Sequence, residues 1–73
     1  MIKVKCFARY RPLLGFSDLA MPAVPTLGDL LADPRFAALP KDALLAVNQS
    51  FAERSTPLAD GDEVALMPPV SGG

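Results

Sequence analysis

A chain of 73 residues, 51% of them hydrophobic and with a net charge of −1, makes one domain with a modest core, because a domain of this size buries only about 60% of the surface its unfolded chain exposes. With no His, no Trp and one Cys, it has few residues for a metal site or a general acid–base pair, so an enzyme acting alone is not expected. No apolar run approaches the roughly 20 residues of a membrane span, 7 basic against 8 acidic residues do not suit a phosphate backbone, and a lone Cys6 behind no secretion signal predicts a reducing cytoplasm.

Ile2, Val4, Cys6 and Ala8 alternate with Lys3, Lys5, Phe7 and Arg9, and this period of two predicts a half-buried strand over 2–8. Cys6 falls on the apolar parity and is expected to be an inert core residue rather than a nucleophile. Arg9 to Gly15, with Pro12 inside it, reads as the loop of a first hairpin. Phe16 to Ala23 returns as a second strand with Leu19 and Met21 on one parity, and Pro22 marks it as an edge.

Thr26 is a good N-cap, and Asp29 three positions on completes a capping box and meets the helix dipole favourably. Leu27, Leu30 and Leu31 then form the inward face of a short helix, weakened by Gly28 and stopped near Asp33 by Pro34. Asp33-Pro34 opens a second helical turn carrying Phe36 and Leu39, which Pro40 ends. Ala43 to Val47 is an apolar run of strand length, Asn48-Gln49-Ser50 makes a turn, and Phe51 to Arg54 forms a short companion strand. In Asp60-Gly61-Asp62, Gly61 takes the positive φ that a tight turn needs. The last strand, Glu63 to Met67, places Val64 and Leu66 on one face and Glu63, Ala65 and Met67 on the other. Hairpin, helix and further strands ending in a central one describe an α+β roll, a sheet wrapped around one helix. If the first and last strands are neighbours, Lys3 and Lys5 share a face with Glu63.

Three large apolar residues do not fit this core. Phe7 is in phase with Lys3 and Lys5, Met67 is in phase with Glu63, and Phe51 follows a polar turn. All three are expected on the outer face, where a partner covering them gains about 1.5–3 kcal/mol for each at full burial. The competing expectation is that the segment Tyr10 to Leu14 covers Phe7.

Beyond the last strand the chain reads Pro68-Pro69-Val70-Ser71-Gly72-Gly73. Each proline fixes φ near about −65° and lacks an N–H, so strand pairing stops at Met67 and a stiff, extended course follows. Gly72 and Gly73 have no Cβ and fit a channel that any side chain would block. Residues 1–67 are thus expected to be the folded domain and 68–73 an active tail whose reactive group is the carboxylate of Gly73.

The opening Ile2-Lys3-Val4-Lys5-Cys6-Phe7-Ala8 with Arg11, the segment Ala46-Val47-Asn48-Gln49, the run from Pro57 to Ala65 and the closing hexapeptide together resemble the small subunit of molybdopterin synthase. The resemblance spans nearly the whole chain and implies a ubiquitin-like β-grasp fold, with a mixed sheet around one short helix. It also implies a sulfur carrier in molybdenum-cofactor biosynthesis that binds no cofactor itself. An E1-like activating enzyme uses ATP to adenylate Gly73, a sulfur donor converts it to a thiocarboxylate, and the tail delivers that sulfur to precursor pterin in the large subunit, which holds the catalytic site. Pro68, Pro69, Val70, Ser71 and Gly72 are the threading residues by this resemblance, and Phe7, Phe51, Met67 and Arg11 face the large subunit in a heterotetramer with two small subunits. The chain departs from the family pattern in a short helical region interrupted by Pro34 and in Pro12, where an acidic residue is common. Two other readings share the tail chemistry: a sulfur carrier of the thiamin pathway, which usually lacks the Pro-Pro, and a ubiquitin-like modifier joined to lysines through Gly73.

Overall fold

The chain runs β1 (Ile2–Cys6), α1 (Tyr10–Leu14), β2 (Asp18–Met21), α2 (Leu27–Leu31), a 3-10 turn (Pro34–Phe36), β3 (Leu44–Val47), β4 (Ser50–Phe51) and β5 (Glu63–Met67). The structure, a computed structural model, describes residues 1–69. The strands form one sheet in the order β2-β1-β5-β3-β4. β1 and β5 pair in parallel, from Lys3 opposite Glu63 to Cys6 opposite Leu66, and the other three pairings are antiparallel. This is the mixed, helix-backed sheet expected of a β-grasp, with β5 at its centre.

One face of the sheet carries the core. Ile2, Val4 and Cys6 of β1 and Val64 and Leu66 of β5 are all buried, as the period of two requires. Leu27, Leu30, Leu31, Phe36 and Leu39 cover them from the other side. Helix α2 starts where its cap predicts: the Thr26 hydroxyl accepts from the Asp29 N–H, and the Asp29 carboxylate accepts from the Thr26 N–H at 3.1 Å. Its first turn is also held from outside. The Leu27 N–H donates to the Thr56 carbonyl at 2.9 Å and the Gly28 N–H to the Arg54 carbonyl at 2.7 Å, satisfying donors that have no partner within the helix. A Cβ on Gly28 would lie 3.0 Å from that Arg54 oxygen, so the residue that looked like a weakness in the helix is the one that permits this approach.

Four expectations are corrected. Arg9 to Gly15 is not a plain loop, because Tyr10–Leu14 forms the helical turn α1, closed by Gly15 at φ 84° with its N–H on the Arg11 carbonyl. Pro12 lies in the first turn of α1, where a missing N–H is harmless, and Gly15 is a left-handed helix cap, so turn residues here served as helix boundaries. The sheet therefore accompanies two short helices rather than one. The first strand ends at Cys6 instead of residue 8, since Ala8 adopts φ 52° and turns the backbone out of the sheet. The companion strand is Ser50–Phe51 instead of 51–54, because residues beyond Ala52 turn to meet α2. The second strand is shorter as well, and Phe16 leaves it to pack edge-on against Phe36, with ring centres 6.1 Å apart.

Candidate docking face and the root of the tail

The face of the sheet opposite the core bears a shallow groove of about 490 Å³. Its walls come from three separate parts of the sequence: Phe7 just past β1, Phe51 in β4 and Met67 at the end of β5. Ala46 and Ala65, which are register partners across β3 and β5, form part of its lining and are small enough to leave the space open. Phe51 is 80% exposed and Phe7 37%. The structure thus brings together Phe7, Phe51 and Met67, the three residues expected on the outer face, although they are distant in sequence. Large exposed apolar groups that converge on one depression are what a protein-docking surface requires.

One end of the groove is polar. Lys5 Nζ lies 3.7 Å from Glu63 Oε2, with both side chains partly exposed, so the pair balances charge across β1 and β5 and contributes little to stability. Gln49, from the β3–β4 turn, lines the same end. That turn is a two-residue hairpin with both central residues at positive φ, Asn48 at 51° and Gln49 at 69°, the geometry that suits the twist of paired strands. Asn48 is anchored there by its side chain, which donates to Asp62 Oδ1 at 2.9 Å and accepts from the Glu63 N–H at 3.0 Å. The Ala59 N–H and this Asn48 amide hold the Asp62 carboxyl below its usual range. Lys5, Gln49, Glu63, Ala46 and Ala65 were not expected as site residues. The outward parity of Lys5 and Glu63 was a usable signal, whereas nothing local to Gln49 distinguishes it from an ordinary turn residue.

Arg11 stands behind the groove rather than in its lining. Its guanidinium Nε donates to the Cys6 carbonyl at 3.1 Å, and its charged carbon lies 5.9 Å from the centre of the Phe7 ring. It supports Phe7 from α1, so the expectation that Tyr10 to Leu14 covers Phe7 holds only in part. Tyr10 itself turns inward and is fully buried. Cys6 is buried as its parity predicted, and burial pushes its thiol pKa up, with the nearby Arg11 charge acting in the opposite direction and Asp18 adding to the rise. A thiol held in its protonated form is a poor nucleophile.

The tail leaves the sheet beside this groove. β5 ends at Met67, and Pro68 and Pro69 continue without strand pairing. Val70, Ser71, Gly72 and Gly73, and the threading and carboxylate roles expected of them, lie outside the described residues. Among the described residues, no group of three or more His, Cys, Asp or Glu is placed to hold a metal, and no helix is long and apolar enough to cross a membrane.

The sequence matches the model of the ThiS family over residues 4–73. The chain belongs to the ThiS family. Among curated relatives of this ThiS family member, the molybdopterin synthase sulfur carrier subunit of Escherichia coli is 42% identical, with 100% of both proteins covered. Among solved structures, SAMP1, the small archaeal modifier protein 1 of Haloferax volcanii, superposes with a TM-score of 0.79 at 28% identity, covering 99% of this chain and 98% of that one. A protein–protein complex of subunits 1 and 2 of the molybdopterin-converting factor from Helicobacter pylori contains a chain that matches with a TM-score of 0.72 at 25% identity, covering 99% of this chain and 97% of that one. The ubiquitin-like β-grasp fold of this ThiS family member follows from these likenesses together with its sheet order.

Proposed function

We propose that this protein is the sulfur-carrying small subunit of a molybdopterin synthase. The observation that carries the reading is the full-length likeness to the Escherichia coli subunit of that name. The groove between Phe7, Phe51 and Met67 is then the docking face for the large subunit, the counterpart of subunit 2 in the Helicobacter pylori complex. Arg11 contributes by backing Phe7. Docking through this face carries Pro68 and Pro69 to the partner along with Met67, and the remaining Val70, Ser71 and Gly72 thread toward the large subunit's active site.

The chemistry belongs to Gly73. A carboxylate is a poor electrophile, so an E1-like activating enzyme first joins it to the AMP portion of ATP as an acyl-adenylate, which has a good leaving group. A sulfur donor displaces AMP and leaves a terminal thiocarboxylate. Its sulfur, a better nucleophile than the oxygen it replaced, attacks precursor pterin in the large subunit, and two deliveries complete one dithiolene. A heterotetramer with two small subunits fits that stoichiometry. The protein binds no cofactor of its own in this scheme, and its setting is the cytoplasm.

A second reading, a modifier joined to lysine amines through Gly73, is favoured by the likeness to small archaeal modifier protein 1. It shares the adenylation step and differs in what displaces AMP. The test is the intact mass of the protein after incubation with ATP, the cognate activating enzyme and a sulfur donor, with a variant lacking Gly73 as control. A gain equal to replacing one oxygen by sulfur, absent from the control, is the expected result. No gain, with the enzymes shown to be active on another carrier, refutes the sulfur-carrier reading.

A further inference from the structure

Gln49 occupies a backbone conformation that its residue type does not favour. At φ 69° it is the second central residue of the β3–β4 hairpin, the position where glycine is the usual choice and where any Cβ adds a steric cost. Its neighbour Asn48 is explained, because asparagine tolerates this region and its side chain is bonded at both ends, to Asp62 and to the Glu63 N–H. Gln49 has no such compensation: among the described residues its carboxamide makes no hydrogen bond within the protein. It is exposed and lines the docking groove where the apolar walls give way to Lys5 and Glu63. Strained positions of this kind concentrate at functional sites.

We infer that Gln49 is a specificity-determining contact for the large subunit, its carboxamide donating to and accepting from a peptide group of the segment that covers Phe7, Phe51 and Met67. A primary amide offers one donor face and one acceptor face, the complement of a peptide carbonyl and N–H. Placed at the polar end of an otherwise apolar groove, it fixes the register of the docked segment. Apolar contact alone, being non-directional, leaves that register open. The inference rests on the proposed docking of the large subunit at this face.

The test measures affinity for the purified large subunit by titration calorimetry, and thermal stability alongside, for Gln49→Gly, Gln49→Met and Phe51→Ala. Gln49→Gly relieves the positive φ and is expected to raise Tm while weakening binding roughly 5- to 150-fold, the worth of the two ordinary hydrogen bonds lost. Gln49→Met keeps the side-chain length and the backbone strain but loses the amide, so the same weakening is expected with little change in Tm. Wild-type affinity in both Gln49 variants overturns the inference. If Phe51→Ala weakens binding in that same series, the docking face itself survives; if all three bind normally, the docking reading falls as well.

Discussion

Replacing Phe51 by alanine separates binding from folding. The ring is 80% exposed on the short edge strand β4, so the folded domain gains little from it. The cost of Phe51→Ala to stability is expected to stay below about 1 kcal/mol, the span of strand propensities. Under a partner the balance reverses. Covering a phenylalanine fully is worth about 1.5–3 kcal/mol, and 80% of that ring remains to be covered, which leaves about 1.2–2.4 kcal/mol, or a Kd about 7- to 50-fold weaker without the ring. Calorimetric titration against the large subunit gives the first quantity and urea unfolding in the same buffer gives the second. An unchanged Kd would refute the assignment of this groove as the docking face. A stability loss above about 2 kcal/mol would show instead that Phe51 belongs to the core.

Two further substitutions test the interior. Among the described residues the buried Tyr10 hydroxyl has no hydrogen-bond partner, and an unsatisfied buried group of this kind costs about 1–3 kcal/mol; Tyr10→Phe is therefore expected to raise Tm by several degrees in differential scanning calorimetry, and a fall in Tm would mean that the hydroxyl is satisfied. Gly28→Ala would favour helix α2 locally, yet its Cβ would sit 3.0 Å from the Arg54 carbonyl oxygen, so a net loss of about 1–3 kcal/mol is expected by chemical unfolding. A stabilised Gly28→Ala protein would mean that the 54–58 loop yields freely and does not clamp the helix.

Much of the fold was legible because its signals are local. The alternation from Ile2 to Cys6 and from Glu63 to Met67 assigned each residue to a face, and the burial of Ile2, Val4, Cys6, Val64 and Leu66 follows that assignment. Thr26 and Asp29 marked the start of α2 through a capping box that the structure contains. The elements misread were those whose signals have two meanings. Pro12 and Gly15 punctuate a loop and also bound a helical turn, and the choice depends on Tyr10 finding room in the core. Within the site, Phe7 and Met67 were accessible to parity and Phe51 to its place after a polar turn, but Gln49 was not, because its interest lies in a torsion angle and in what surrounds it. Arg11 entered through resemblance alone, and its contacts with Cys6 and Phe7 come from the path of α1.

By itself the sequence determined which face each residue of β1 and β5 takes, where α2 begins, and that strand pairing ends at Met67. Each of these is decided by sterics and hydrogen bonding within a few residues: the pleat of an extended backbone, the unpaired donors of a first turn, and a proline without an N–H. The sequence expected the last strand at the centre of the sheet, but tertiary structure alone decided that β1 and β3 are its neighbours, and so that residues 7, 51 and 67 border a single groove. It also decided that Gly28 meets Arg54. Such neighbour relations arise from burying all the apolar surface of the protein at once, a condition that no short window of sequence contains.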